Sequence, residues 1–149
     1  MSSLTRRGAM LLGAGLTLTL VAVDEAAATP ADADAEIAKF TGGKATESGK
    51  IAIDLPEIAE NGNTVPLSIK VDSPMTKDDY VSEIRVVGDA NPNAGIVKFH
   101  LTPTSGRAEV GTRIRLGGTG TVTVLAKTST GKLYVERKVV KVTVGGCGG

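Results

Sequence analysis

The sequence predicts an all-β protein, an antiparallel β-sandwich with a flexible C-terminal arm. Three observations predict it. From Lys50 onward, apolar and polar residues alternate with a period of two in several runs, the pattern of strands with one buried face. Clusters of Gly, Pro, Asn and Ser separate those runs at near-regular spacing. The alternation stops at Val144, and Gly145-Gly146-Cys147-Gly148-Gly149 follows it.

A chain of 149 residues suits one domain with an adequate core and no need of disulfide staples. Aromatic residues make up 3% of it, with no Trp. The core must therefore be Val, Ile, Leu and Ala. Bases of single-stranded nucleic acid would find no stacking platform. A formal net charge of +1 gives no field that would steer the protein to DNA or an anionic membrane. No nucleic-acid partner is expected.

The N-terminus reads as an export signal over residues 1–28. Arg6-Arg7 precede an uncharged run, Gly8 to Val23, too short for a membrane-spanning helix. A charged start, a short apolar stretch and small residues at the end describe a secretory leader. The twin arginine points to the Tat route. Sec export is the alternative, because the usual Phe and Lys after the arginines are absent. Ala26-Ala27-Ala28 is one cleavage zone. Ala33-Asp34-Ala35 is another, so cleavage as late as residue 35 also fits. The mature chain is expected in the periplasm, with no membrane attachment.

The domain is expected over residues 36–144. Ala35 to Lys44 fits a short helix with Ile37 and Phe40 on one side, stopped by Gly42-Gly43. Val65, Leu67, Ile69 and Val71 alternate with polar residues and Pro66. Because Pro66 cannot donate to a ladder, this strand should lie at an edge or begin there. Met75 to Val81 fits either a loop or one helical turn. Val97, Phe99 and Leu101 form the next run, with Lys98 and His100 facing the other way. Ala108, Val110, Thr112, Ile114 and Leu116 form another, and Val122, Val124 and Ala126 a further one. In the last stretch Leu133 and Val135 are in one phase, but Val140, Val142 and Val144 are in the other. That change predicts a bulge or a break into two strands. About seven strands with two inward faces fit an immunoglobulin-like sandwich, in architecture only, since the core Cys pair and Trp are missing. Val87, Ile96, Leu125 and Val139 fall out of phase with the core set and are candidates for a partner-facing surface.

Cys147 is the one Cys. An unpaired thiol in an exported protein calls for an explanation. It lies beyond the last alternating residue, so packing does not explain it. The flanking Gly145, Gly146, Gly148 and Gly149 leave the backbone thin and pliable. Five residues reach at most about 17 Å, enough to enter another protein's active site. No basic residue close in sequence favours the thiolate, and no resolving Cys is present. That pattern suits a carrier whose chemistry is done by its partners, rather than an enzyme. An exported structural or adhesive module that dimerises through a Cys147 disulfide is the alternative. A Gly-Gly end is also similar to that of ubiquitin-like sulfur carriers, but those are β-grasp domains with a crossing helix, and neither trait appears in this pattern.

Six segments stand out: Ile58-Ala59-Glu60-Asn61-Gly62 with Val65-Pro66, then Val71-Asp72-Ser73-Pro74-Met75, Asn91-Pro92, Leu101-Thr102-Pro103, Thr112-Arg113-Ile114-Arg115-Leu116, and Val142 to Gly149. Together they resemble the SoxY family, the sulfur-binding subunits of the periplasmic thiosulfate-oxidising Sox system. Gly117-Gly118-Thr119-Gly120 departs from the family's Ala and Gln, which bears on a turn and not on the thiol. The resemblance implies that Cys147 carries sulfur intermediates, a Cys S-thiosulfonate and then a persulfide. It implies a heterodimer with a SoxZ-like subunit. It also implies a c-type cytochrome conjugating enzyme, a sulfate-releasing hydrolase and a sulfane-oxidising enzyme as visiting partners.

Other candidates read more plainly. His100 is the only His and falls on a solvated strand face. One His and one Cys cannot assemble an ordinary zinc or iron–sulfur site within the chain, so no metal and no cofactor are expected. Arg113 and Arg115 share one strand face, either solvated or turned toward a partner or an anionic adduct on the arm. Asp78-Asp79 reads as a turn or cap. Gly117 to Gly120 is no phosphate loop, because a strand follows it.

Overall fold

The computed structural model describes residues 28–146. The export signal therefore lies outside the described residues, apart from Ala28. Two sheets face each other. Strands β1 (Ile51–Asp54), β3 (Val65–Val71) and β6 (Glu109–Ile114) form the smaller, in the order β1-β3-β6. Strands β2 (Ile58–Asn61), β8 (Leu133–Val144), β7 (Gly120–Thr128), β4 (Val81–Gly88) and β5 (Gly95–His100) form the larger, in that order. This is the all-β sandwich that the alternation predicts. Every pairing is antiparallel except β2 with β8, which run parallel.

The core lies between the sheets. Leu67 and Ile69 of β3 meet Ile84 and Val86 of β4, Val122, Val124 and Ala126 of β7, and Val140 of β8. All are 2% exposed or less, and each such large side chain contributes roughly 1.5–3 kcal/mol by leaving water. Met75 closes one end. It is buried in a loop, not a helical turn, and its backbone is left-handed with φ 50°.

A helix, α1 (Pro30–Thr41), packs on the outer face of the larger sheet. Its start is written in the sequence: Thr29 caps it, Pro30 takes the first position, and Asp32 completes a capping box. It begins five residues before the predicted start at Ala35. Gly42 ends it in a left-handed conformation, φ 61°. Beneath it lie Val87, Leu125 and Ala94, with Val135 at the margin.

This helix corrects two expectations. Leu125 and Val87 are fully buried under α1 rather than turned to a partner. Ile96 packs against the main core, and Val139 alone of the four is exposed. The phase change in the last strand is also no break. The β7–β8 register runs unshifted from Gly120↔Val140 to Lys127↔Leu133. Leu133 and Val135 sit on the outer face and Val140 on the inner, so the strand has apolar residues in both phases because different ends of it are covered from opposite sides. The register shifts fall in β4 instead, at Val81/Glu83 and Val86/Val87. Strand β3 is central, but β1 pairs with it only as far as Ser68, so Pro66 stands past the end of that ladder.

Candidate functional site

Strand β8 carries the chain out of the sandwich toward Cys147. Strand β2 runs beside its end, with Asn61 opposite Val144. The N–H of Val142 also donates to Thr119 Oγ1 at 2.9 Å. Just beyond the strand, three backbone hydrogen bonds join three separate segments. The Gly62 N–H donates to the Val144 carbonyl at 2.8 Å, the Leu116 N–H to the Gly62 carbonyl at 2.8 Å, and the Gly146 N–H to the Leu116 carbonyl at 2.9 Å. Gly62 and Leu116 thus each use both backbone groups.

A buried amide holds this junction in place. Asn91, in the β4–β5 loop, is 7% exposed. Its Nδ2 donates to the Arg115 carbonyl at 2.8 Å, and its Oδ1 accepts from the Gly117 N–H at 2.8 Å. Leu116 is therefore fixed on both sides by one side chain, which aims its own N–H and carbonyl at Gly62 and Gly146.

The glycines here serve close approach. A Cβ at Gly62 would collide with the Leu116 carbonyl oxygen and lie 2.7 Å from the Gly146 nitrogen. One at Gly145 would collide with the Gly117 carbonyl oxygen, and one at Gly146 would sit 2.9 Å from that of Gly62. One at Gly117 would sit 2.6 Å from the Ala90 carbonyl oxygen. No side chain fits where backbones meet so closely.

The expectation of a pliable arm over Gly145–Gly149 is corrected at its root. Gly146 is buried and hydrogen-bonded, so the two residues read as the start of a loose tether are part of the body. Cys147, Gly148 and Gly149 lie outside the described residues. One trans peptide bond puts the Cys147 Cα about 3.8 Å from that of Gly146.

The remaining candidates are scattered. His100 is exposed at the end of β5. Arg113 and Arg115 are exposed and line a groove of about 310 Å³ between the β5 and β6 edges. Neither forms an ion pair among the described residues. Asp79 closes a turn, its N–H donating to Thr76 Oγ1 at 3.1 Å. Titrations are displaced elsewhere: hydrogen bonds from Thr29 hold the Asp32 carboxyl below the usual range, and the Lys39 ammonium does the same for Glu36. Among the described residues, no three His, Cys, Asp or Glu side chains converge as metal ligands, and no helix is long and apolar enough to cross a membrane.

The model of the family described as sulfur oxidation protein SoxY matches residues 37–147. That is most of the chain, and it takes in the Cys. The chain belongs to the SoxY family. The sulfur carrier protein SoxY from Chlorobium limicola f thiosulfatophilum is 30% identical in sequence, with a TM-score of 0.63 over 76% of this chain and 98% of that one. A superoxide reductase (neelaredoxin) from Ignicoccus hospitalis is also similar, at 18% identity and a TM-score of 0.56 over 77% of this chain and 94% of that one. A putative superoxide reductase from Thermotoga maritima has the same identity and TM-score over 65% and 93%. Those two likenesses are of fold alone. No curated protein sequence matches the chain.

Sequence reasoning found the SoxY resemblance and Cys147 but missed Asn91 and Leu116 as parts of the arm's seat. It quoted Gly62, Asn91 and Leu116 within segments that resemble the family, and Gly117 as part of a turn. Their meeting depends on contacts between loops 24 to 84 positions apart, which no local pattern announces.

Proposed function

We propose that this SoxY-family chain is a covalent sulfur carrier of periplasmic thiosulfate oxidation, with the Cys147 thiol as its one working group. The observation that carries the reading is that the family match extends to Cys147 and includes it, while the described body reaches Gly146, one peptide bond before it. In the first step the thiol sulfur bonds to the outer sulfur of thiosulfate. The thiol proton is released, and two electrons pass to an oxidant of the c-type cytochrome class. In the second step water attacks the sulfone sulfur of the resulting Cys S-thiosulfonate. The S–S bond to the sulfone sulfur breaks. Sulfate leaves with the three sulfone oxygens and one from water, one water proton goes to the sulfane sulfur and the other to solvent, and a Cys persulfide remains for oxidation or transfer. None of these steps needs an acid, base or metal on this chain, which suits a terminus without such groups.

The chain would be exported by its N-terminal signal, folded, together with a SoxZ-like subunit as a heterodimer. The visiting enzymes would supply activation and discharge. After growth on thiosulfate, tryptic cleavage at Lys141 isolates Val142–Gly149 for mass spectrometry. Thiosulfonate or sulfane adducts on that peptide are the expected result. A symmetric disulfide alone would instead favour the dimerising module. Cys147→Ser should fold normally and abolish thiosulfate-dependent electron transfer, and unchanged turnover would refute the carrier.

A further inference from the structure

We infer that the carrier arm is rooted: Gly145 and Gly146 stay seated on the body while Cys147 works, and Gly62, Gly117 and Asn91 are positioning residues for the thiol. This rests on the carrier reading and changes what that reading requires of the partners. A run of glycines ordinarily signals slack, because each ordered residue costs roughly 1–2 kcal/mol of backbone entropy. Here the cost is already met in the free protein. Gly146 is buried and donates to Leu116. Gly62 receives the Leu116 N–H on one side and holds the Val144 carbonyl on the other. The closure is tight enough that a methyl group at Gly62, Gly145, Gly146 or Gly117 would strike backbone.

The seat also has rigid support from behind. Asn91 fixes Arg115 and Gly117, and Thr119 holds the N–H of Val142 just before the root. The segments that meet there come from the β2–β3 turn, the β4–β5 loop and the β6–β7 loop. Each is anchored in the sandwich.

Two consequences follow. With Gly146 seated, one peptide link of about 3.8 Å between Cα atoms separates the root from Cys147, against at most about 11 Å for three free residues counted from Val144. A partner enzyme must therefore dock against the loop end that seats the root, and its reacting centre must lie within that shorter reach of its surface. The root also starts every encounter from one place, which lowers the orientational cost of each delivery.

The test reads the root directly in the full mature chain. Amide hydrogen exchange at Gly146 should be slowed roughly a hundredfold or more relative to an unstructured Gly-Gly-Cys peptide. A nitroxide on Cys147 should give a spectrum with a restricted component. Gly62→Ala should remove the protection and shift the label to fast, isotropic motion. Gly111→Ala, whose added methyl meets only Ser68 Oγ at 3.8 Å, should change neither. Gly146 exchanging at the free-peptide rate in the unmodified chain would overturn the inference even if Gly62→Ala fails to fold. So would a nitroxide spectrum that Gly62→Ala leaves unaltered. Sulfur adducts on Cys147 are a separate readout. A protected Gly146 without adducts would sink the carrier and spare the root, and adducts with an unprotected Gly146 would do the reverse.

Discussion

Asn91 uses both ends of its amide on backbone groups 24 and 26 positions away, so its removal has a defined cost. Asn91→Ala leaves the partly buried Arg115 carbonyl and Gly117 N–H without their side-chain partner, which costs about 1–3 kcal/mol. The urea midpoint should fall accordingly with the slope unchanged. A midpoint shift equivalent to less than about 0.5 kcal/mol would show that water replaces the amide and that the bracket carries no stability. Asn91→Asp should not rescue it, since a carboxylate oxygen would then face the Arg115 carbonyl. At this scale the sequence reveals chemistry better than contact. Cys147 stood out because it is single and follows the last alternating residue. Asn91 was visible only beside Pro92 in a segment that resembles the family, because its partners are brought to it only by the pairing of distant strands.

Elements were legible where one face is buried and obscure where both are. Strand β3 alternates buried and exposed residues without exception, and its pattern was plain. Strand β4 reads Val-Ser-Glu-Ile-Arg-Val-Val-Gly and is buried on both faces at its end, under the core and under α1; no clean period survives, and no strand was assigned there. The early start of α1 is readable from Thr29, Pro30 and Asp32, but those residues lie in the span where the leader was expected to end. That cap yields a pH prediction. Asp32 accepts from the Thr29 N–H at 2.7 Å and from Thr29 Oγ1 at 2.8 Å, and these bonds hold its carboxyl below its ordinary value of 3.8. A depressed carboxyl contributes stability that is present above its unfolded-state value and is lost as pH falls through the folded one. A carboxyl-carbon NMR titration of Asp32 should therefore have its midpoint below 3.8. Over the same acid range the Ala33 amide, which donates to the Thr29 carbonyl at 3.1 Å, should lose protection. In Asp32→Asn that loss should disappear. A midpoint at or above that ordinary value would remove the capping box as a source of stability.

The described residues form a two-sheet sandwich with a partial third layer, and that third layer bears on where the proposed export signal would be cut. Alternation alone specified two sheets and their core, but it was silent on α1 as a cover and on the parallel seating of β2 beside β8, since parallel neighbours leave no turn between them to read. Cleavage after Ala35 would remove Pro30 to Ala35, and with them the capping box and the buried Ala33 that lies on Val87 and Leu125. Two fully buried side chains would then face water, at a cost of about 1.5–3 kcal/mol each if wholly uncovered. Cleavage after Ala28 leaves all of α1 in place. It gives up the buried Ala28 and its N–H bond to the Asn91 carbonyl at 2.6 Å. In return, the Thr29 nitrogen that already lies 2.7 Å from Asp32 Oδ2 becomes an ammonium, so the donor is kept and a charge is added opposite the carboxylate. The Asp32 carboxylate in turn offsets part of the penalty that this cation meets at a helix N-terminus. The mature protein should therefore begin at Thr29, as intact mass and N-terminal sequencing of the exported form would show. A mature chain beginning at Glu36 would mean that the sandwich is stable with Val87 and Leu125 uncovered, or that another surface takes the place of α1 over them.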